Sequence, residues 1–319
     1  MKKKLVIISL FDGISAGRVA LDRAGFTEAN GYDVHYYASE IDPKAIEITQ
    51  KNWPDTVQLG DVRRVTRAMF RDEWLEDATV IVWGGSPCQA FSHAGHKRGF
   101  EDERGQLFWE FVRVVEEFEP KYFMLENVRM KQEHRDVITK ALGVEPMQIN
   151  SALHSAQNRV RLYWTNIPFV GSLEDRQILL RDILDEEGFV DRDKSFCLDA
   201  NYWKGGNLKQ YFEKNRRQLV FTGCNQIGEA DINGLDCIRR VYDINAKAPT
   251  LTTMGGGHRE PKIATSEITY RKLTPTECER LQGFPDGYTT GVANTHRYKA
   301  LGNSWCVPTI VELFKGIEA

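Results

Sequence analysis

No run of eighteen or more apolar residues occurs in this 319-residue sequence, which argues against a membrane-spanning helix. After Met1-Lys2-Lys3-Lys4 the apolar run from Leu5 to Leu10 is too short for a signal h-region and reads as a buried first strand. The six cysteines are scattered without a close pair, against a disulfide framework and in favour of a reducing compartment. No metal site is expected. Net charge is only -3, so the chain as a whole carries no electrostatic sign of a nucleic-acid partner and counts mildly against one. Local basic clusters do occur at Lys97-Arg98, Arg159-Arg161, Arg216-Arg217 and Arg239-Arg240, and each alone reads as solvated surface as readily as a phosphate contact. Internal repeats and low-complexity segments are absent. What remains is an ordinary soluble composition, 41% apolar and 27% charged, and a length suited to one large domain with a smaller one inserted or appended.

Leu5-Val6-Ile7-Ile8-Ser9-Leu10 is nearly all apolar, as expected of a parallel strand covered on both faces. It leads through Phe11-Asp12-Gly13-Ile14-Ser15-Ala16-Gly17 to a helical pattern stopped by Gly25. Tyr36 to Ser39 reads as a second strand, with a helix over Ala45 to Asn52 and Pro43 near its start; Val57-Gln58-Leu59 precedes Gly60-Asp61-Val62 as a third. Ala78 to Trp83 is a fourth strand, Gln106 to Phe118 a long helix, and Tyr122 to Leu125 a fifth strand ending at Glu126-Asn127-Val128. A later strand pair is expected around Met147-Gln148-Ile149 and Val160 to Trp164. This alternation predicts an α/β fold with a doubly wound, mostly parallel sheet. After Pro168 it stops, and residues 172–265 read as a smaller inserted domain between 1–171 and a returning segment, 266–319. The helical pattern resumes at Thr274-Pro275-Thr276-Glu277, which has the form of a capping box.

Three strand ends carry ligand-type chemistry. The Phe11–Gly17 loop permits close backbone approach, but it is not G-x-G-x-x-G, because Ser15 stands where a second close glycine would be needed for a pyrophosphate. That argues against a nicotinamide dehydrogenase. Glu40 is placed to accept hydrogen bonds from ribose hydroxyls, and Asp61 could take an adenine amino group. Each residue alone could be an ordinary turn or cap, but three such ends in order favour a nucleoside cofactor without pyrophosphate, S-adenosylmethionine. At the fourth strand end, Gly85-Ser86-Pro87-Cys88-Gln89 presents a single cysteine, either a nucleophile or a small buried residue in a turn.

The ordered blocks Phe11–Gly17, Gly85-Ser86-Pro87-Cys88-Gln89, Glu126-Asn127-Val128, Gln157-Asn158-Arg159-Val160-Arg161 and Gly302-Asn303-Ser304 resemble those of DNA (cytosine-5) methyltransferases. The resemblance spans both chain ends and excludes only about 171–232. Ser9 to Ile14, and the tryptophan of Ser304-Trp305-Cys306-Val307-Pro308, look closer to the eukaryotic de novo enzymes than to most bacterial ones. It implies an S-adenosylmethionine-dependent methyltransferase fold, double-stranded DNA as substrate, and methyl transfer to C5 of a flipped-out cytosine in a specific sequence. Cys88 would attack C6, Glu126 would hold or donate a proton at N3, and Arg161 would steady O2 and favour the Cys88 thiolate, with Arg159 on a phosphate or the catalytic loop.

By the same resemblance the cofactor would be held by Phe11, Asp12, Gly13, Ile14, Gly17, Glu40, Ile41, Asp61, Val62, Pro87, Leu107, Asn303, Ser304 and Trp305. Gln89, Ser92, Lys97 and Arg98 belong to a loop, Phe91 to Arg104, that would close over the duplex; Arg240, Tyr242, Thr250, Leu251 and Thr252 belong to the target-recognition segment. A monomer is expected, cytoplasmic, and bacterial or phage-encoded, and any cognate restriction endonuclease would act as a separate protein. The alternatives are an RNA (tRNA) cytosine-5 methyltransferase on the same scaffold and a catalytically silent DNA-binding module. Intact Cys88, Glu126 and Arg161 argue against the second.

Overall fold

The computed structural model describes residues 2–87, 103–186, 188–222, 226–229, 240–243, 262–264 and 270–318. Its first strand, β1 (Lys3–Leu10), is buried from Leu5 onward, with Leu5 and Ile7 facing one apolar cluster and Val6, Ile8 and Leu10 the other. A strand covered on both faces has no polar side to spare, which is why its sequence is a continuous apolar run rather than an alternation.

Around it lie β2 (Tyr32–Ser39), β3 (Val57–Gln58), β4 (Thr79–Gly84), β5 (Tyr122–Val128), β6 (Met147–Asn150) and β7 (Val160–Thr165), in the order β3-β2-β1-β4-β5-β7-β6. The pairings from β3 through β5 are parallel, and β7 is antiparallel to both β5 and β6. The expected doubly wound, mostly parallel sheet is therefore present. Two strands differ from expectation. β2 starts at Tyr32, four residues early, and Glu126 lies within β5, opposite Tyr163 of β7, rather than past its end.

One face of the sheet is covered by α1 (Ala16–Arg23) and α2 (Pro43–Asn52), through Val19, Ala20, Ala45 and Ile48. A single-turn helix, α3 (Asp72–Leu75), precedes β4. The other face is covered by α4 (Glu103–Phe118), which buries Phe108, Phe111, Val114 and Phe118, and by α5 (Gln132–Leu142), which buries Ile138 and was not anticipated from sequence. Among the described residues no helix is long and apolar enough to cross a membrane.

Beyond β7, Leu180, Ile183, Leu198, Tyr202 and Val220 pack into the same apolar cluster as Leu5 and Ile7. This stretch carries α6 (Leu208–Lys214) and β8 (Leu219–Phe221). β9 (Gln226–Glu229), β10 (Arg240–Asp243) and β11 (Lys262–Ala264) form a three-stranded sheet, and β12 (Tyr270–Lys272) returns to pair antiparallel with β8. The capping box read from sequence opens α7 (Pro275–Gln282): Thr274 Oγ1 accepts from Glu277 N, and the Glu277 carboxylate accepts from Thr274 N. α8 (Asn294–Asn303) and α9 (Val307–Phe314) end the chain. α9 packs on α1, and Phe314 stacks on Trp83 of β4 with ring centroids 4.7 Å apart. The two chain ends are thus joined through the core.

Candidate active site

In this strand order the chain turns away from β1 in opposite directions, toward β2 and toward β4. A crevice must open at the carboxyl ends of those strands, the place where ligands gather in such sheets. A cavity of about 620 Å³ occupies it, within the range of small-molecule sites. Its walls come from the residues following β1, β2, β3 and β4, from β5, and from the far end of the chain around Asn303, Ser304 and Trp305.

The loop after β1 turns through three left-handed residues, Phe11 (φ 56°), Gly13 (φ 61°) and Ser15 (φ 58°). Left-handed backbone costs an ordinary residue roughly 1–2 kcal/mol. Here the Asp12 carboxylate compensates by accepting from Ser9, Ser15 and Tyr36, the last at 2.8 Å, while Ser15 Oγ also meets Thr49 Oγ1 at 3.0 Å. Burial raises the Asp12 pKa above its usual value, and these hydrogen bonds oppose the rise. Ser15, where the dinucleotide pattern would want glycine, is therefore a fixed joint of the loop.

Glu40 accepts from Gly13 N through Oε2 and from Ile41 N and Asp42 N through Oε1, each at 2.8 Å. Three amides hold the carboxylate still at the cavity wall, where its remaining lone pairs suit two adjacent hydroxyls. Ile41 beside it is 72% exposed and lines the cavity, an apolar surface a flat ring could cover. Asp61 lines the cavity as well, but both its oxygens accept from the Arg63 guanidinium, so an incoming amino group would share them.

Phe11, Asp12, Gly13, Gly17, Glu40, Ile41, Asp61, Val62, Pro87, Leu107, Asn303, Ser304 and Trp305 all line the cavity. Ile14 does not. Its side chain is 1% exposed within the core cluster and its carbonyl accepts from Tyr288 Oη at 2.9 Å, so it anchors the loop from behind.

On the opposite wall, Asn127 Nδ2 donates to Ser86 Oγ at 3.1 Å, tying the turn after β4 to β5. Gly85 must be small: a Cβ there would lie 2.9 Å from Trp305 Nε1 and 3.2 Å from Glu126 Oε2. The Glu126 carboxylate is ion-paired with Arg161 Nε at 2.9 Å, and the two side chains are only 11% and 14% exposed. Both open onto the cavity, with Pro87. Cys88, Gln89, Ser92, Lys97 and Arg98 lie outside the described residues, as do Thr250, Leu251 and Thr252; of Arg240 and Tyr242 the backbone is described, in β10.

Arg159, expected on a phosphate or the catalytic loop, lines the cavity and spends its charge on backbone. It is 3% exposed, and its guanidinium donates to the carbonyls of Leu198 (3.1 Å), Ser304 (2.6 Å) and Gly302 (3.4 Å). A buried cation spent on backbone carbonyls pins the 302–304 turn against β7; it holds the pocket wall in place.

Sequence reading also missed three residues on α8. His296, Lys299 and Ala300 line the cavity with the expected Asn303, at i, i+3, i+4 and i+7, and Lys299 Nζ donates to Asp42 Oδ2 at 2.7 Å. That spacing marks one helix face and was a usable signal.

The fold is that of known methyltransferases. The structure of the Entamoeba histolytica methyltransferase EhMeth superposes with a TM-score of 0.69 at 16% identity, covering 99% of this chain and 98% of that one. Among sequences, the type II methyltransferase M1.ScrFI of Lactococcus lactis subsp. cremoris is 30% identical over 96% of this chain and 76% of its own length. The type II methyltransferase M.HpaII of Haemophilus parainfluenzae is 29% identical, over 97% and 88%. The model of the C-5 cytosine-specific DNA methylase family matches residues 5–319, and the chain belongs to that family. Membership and fold together imply S-adenosylmethionine as methyl donor.

Proposed function

We propose that this chain transfers a methyl group to C5 of a cytosine flipped out of a specific duplex DNA sequence, through a covalent bond between Cys88 and C6. The observation that carries the reading is the buried Glu126–Arg161 pair, opening onto the same cavity as the loops after β1, β2 and β4. The cavity suits S-adenosylmethionine: its volume fits a nucleoside with a short tail, Glu40 offers an immobilised carboxylate for ribose hydroxyls, and exposed Ile41 offers an apolar face. When bound, the cofactor supplies an electrophilic methyl group. Gly85, Trp305 and Asn303 would bound its other end.

Cytosine C5 is a poor nucleophile until C6 is attacked. In this reading the Cys88 thiolate adds to C6, and the displaced electron pair moves toward N3 and O2. Glu126 holds a proton at N3, and Arg161 stabilises the charge at O2 while keeping Glu126 in place. After methylation water takes the C5 proton, the ring double bond re-forms and the C6–S bond breaks, returning the thiolate. The loop from Phe91 to Arg104 would close over the duplex, and residues 172–265, including Arg240, Tyr242, Thr250, Leu251 and Thr252, would read the sequence.

Methylation-aware sequencing of DNA from cells expressing the chain should reveal 5-methylcytosine in one sequence context, and none with Cys88→Ala. In vitro, label from S-adenosylmethionine should enter duplex DNA rather than tRNA. Transfer to tRNA alone, or undiminished transfer by Cys88→Ala, would overturn the proposal.

A further inference from the structure

The stretch that follows the large sheet places a second thiol against the arginines of the site. Residues 195–198 run alongside the chain entering β7: Ser195 N donates to Ala156 O at 2.8 Å, Asn158 N to Ser195 O at 2.9 Å, and Leu198 N to Gln157 Oε1 at 3.4 Å. This strap sets Cys197 Sγ 3.4 Å from Arg159 Nη1 and 3.8 Å from Arg161 Nη2. Arg161 bonds Glu126 through Nε, the neighbouring nitrogen of the same planar group. A guanidinium is rigid, so whatever restrains Nη2 also sets the direction of Nε. Nη1 of Arg161 is meanwhile held by the Val160 carbonyl at 2.9 Å.

We infer that Cys197 is a positioning residue for methyl transfer: its sulfur accepts from Arg161 and Arg159 and holds Arg161 at the angle from which Nε meets Glu126. The chemistry of the neighbourhood agrees. Burial pushes the Cys197 thiol up, but the charges of Arg159 and Arg161 outweigh burial and bring it below its usual range. The two cations that lower the thiol are the same two donors aimed at the sulfur, so the shift and the contacts have one cause. Cys197 is not among the residues lining the cavity and acts through Arg161. The inference rests on the roles proposed above for Glu126 and Arg161.

The test uses the full chain, labelled S-adenosylmethionine and unmethylated genomic DNA, with Cys197→Ala, Cys197→Ser, Arg161→Ala and the Cys197→Ala/Arg161→Ala double variant. Losing one acceptor of a charged donor should lower kcat of Cys197→Ala about tenfold, leaving KM for DNA and cofactor within about twofold. Cys197→Ser, which restores an acceptor, should recover at least about a third of wild-type kcat. Arg161→Ala should be slower still, and adding Cys197→Ala to it should change nothing further. If Cys197→Ala melts well below wild type, Cys197→Val, which refills the volume without a strong acceptor, takes its place in the comparison. Wild-type kcat in the Ala or Val variant, no recovery by Ser, or multiplying effects in the double variant would overturn the role of Cys197. Wild-type kcat in Arg161→Ala would instead overturn the reading of Arg161 itself.

Discussion

Adding one methyl group at Gly85 probes the junction of the proposed cofactor pocket and the proposed base pocket. The new Cβ would sit 2.9 Å from Trp305 Nε1 and 3.2 Å from Glu126 Oε2, so the indole must retreat by about 0.5 Å or more and the carboxylate by less. Glu126 is ion-paired and buried, whereas Trp305 borders open cavity, so Trp305 is the side that yields. Overpacking of this kind costs about 1–3 kcal/mol, and an edge that can relax into a cavity belongs near 1 kcal/mol. Gly85→Ala should therefore fold with a small drop in Tm but weaken S-adenosylmethionine roughly fivefold to tenfold, because the displaced ring occupies the cavity. Calorimetric titration gives Kd and differential scanning gives Tm. Trp305→Phe in the Gly85→Ala background removes the indole nitrogen and should return Kd to within about threefold of wild type. Unchanged affinity in Gly85→Ala, or no recovery in the double variant, would refute the packing argument.

Arg159→Ala leaves the carbonyls of Leu198, Gly302 and Ser304 without their shared donor; Tm should fall by several degrees and cofactor affinity with it, as thermal melts with and without S-adenosylmethionine will show. Lys299→Ala should cost under about 1 kcal/mol at neutral pH, since its ion pair with Asp42 is half-exposed. Burial pushes the Asp42 carboxyl up, yet the Lys299 hydrogen bond and charge, with the Lys44 amide, hold it below its usual value. A depressed carboxylate stabilises the fold above its unfolded pKa and loses that contribution as pH falls through the folded one. The stability gap between wild type and Lys299→Ala should therefore close in acid, which denaturant melts across pH can follow. Thr274→Ala removes the cap of α7 and should cost about 1 kcal/mol while leaving kcat unchanged in the label-transfer assay.

Legibility from sequence tracked the range of the interactions. The apolar run of β1 and the capping box of α7 depend on neighbours a few residues away, and each could be read directly. Ile14 packs in the core behind the loop rather than on the cavity wall, because a motif block says which residues travel together, not which of them turn inward. For Arg159 the charge is visible in sequence, which is why a phosphate or the catalytic loop was expected, but its carbonyl partners, 39 to 145 residues away, are not. Cys197 drew no attention for the same reason: its arginine partners are 38 and 36 residues distant.

Local patterns were enough for the doubly wound sheet, because periodicity and turn chemistry need only near neighbours, and the ordered motif blocks carried the resemblance to the family. Long-range packing set the partnerships at the site: Glu126 with Arg161, Trp305 against Gly85, Lys299 with Asp42, and Cys197 behind the arginines. Those partnerships form when residues far apart in the chain are brought within a few ångströms, and no local pattern records where a buried cation will find its acceptors.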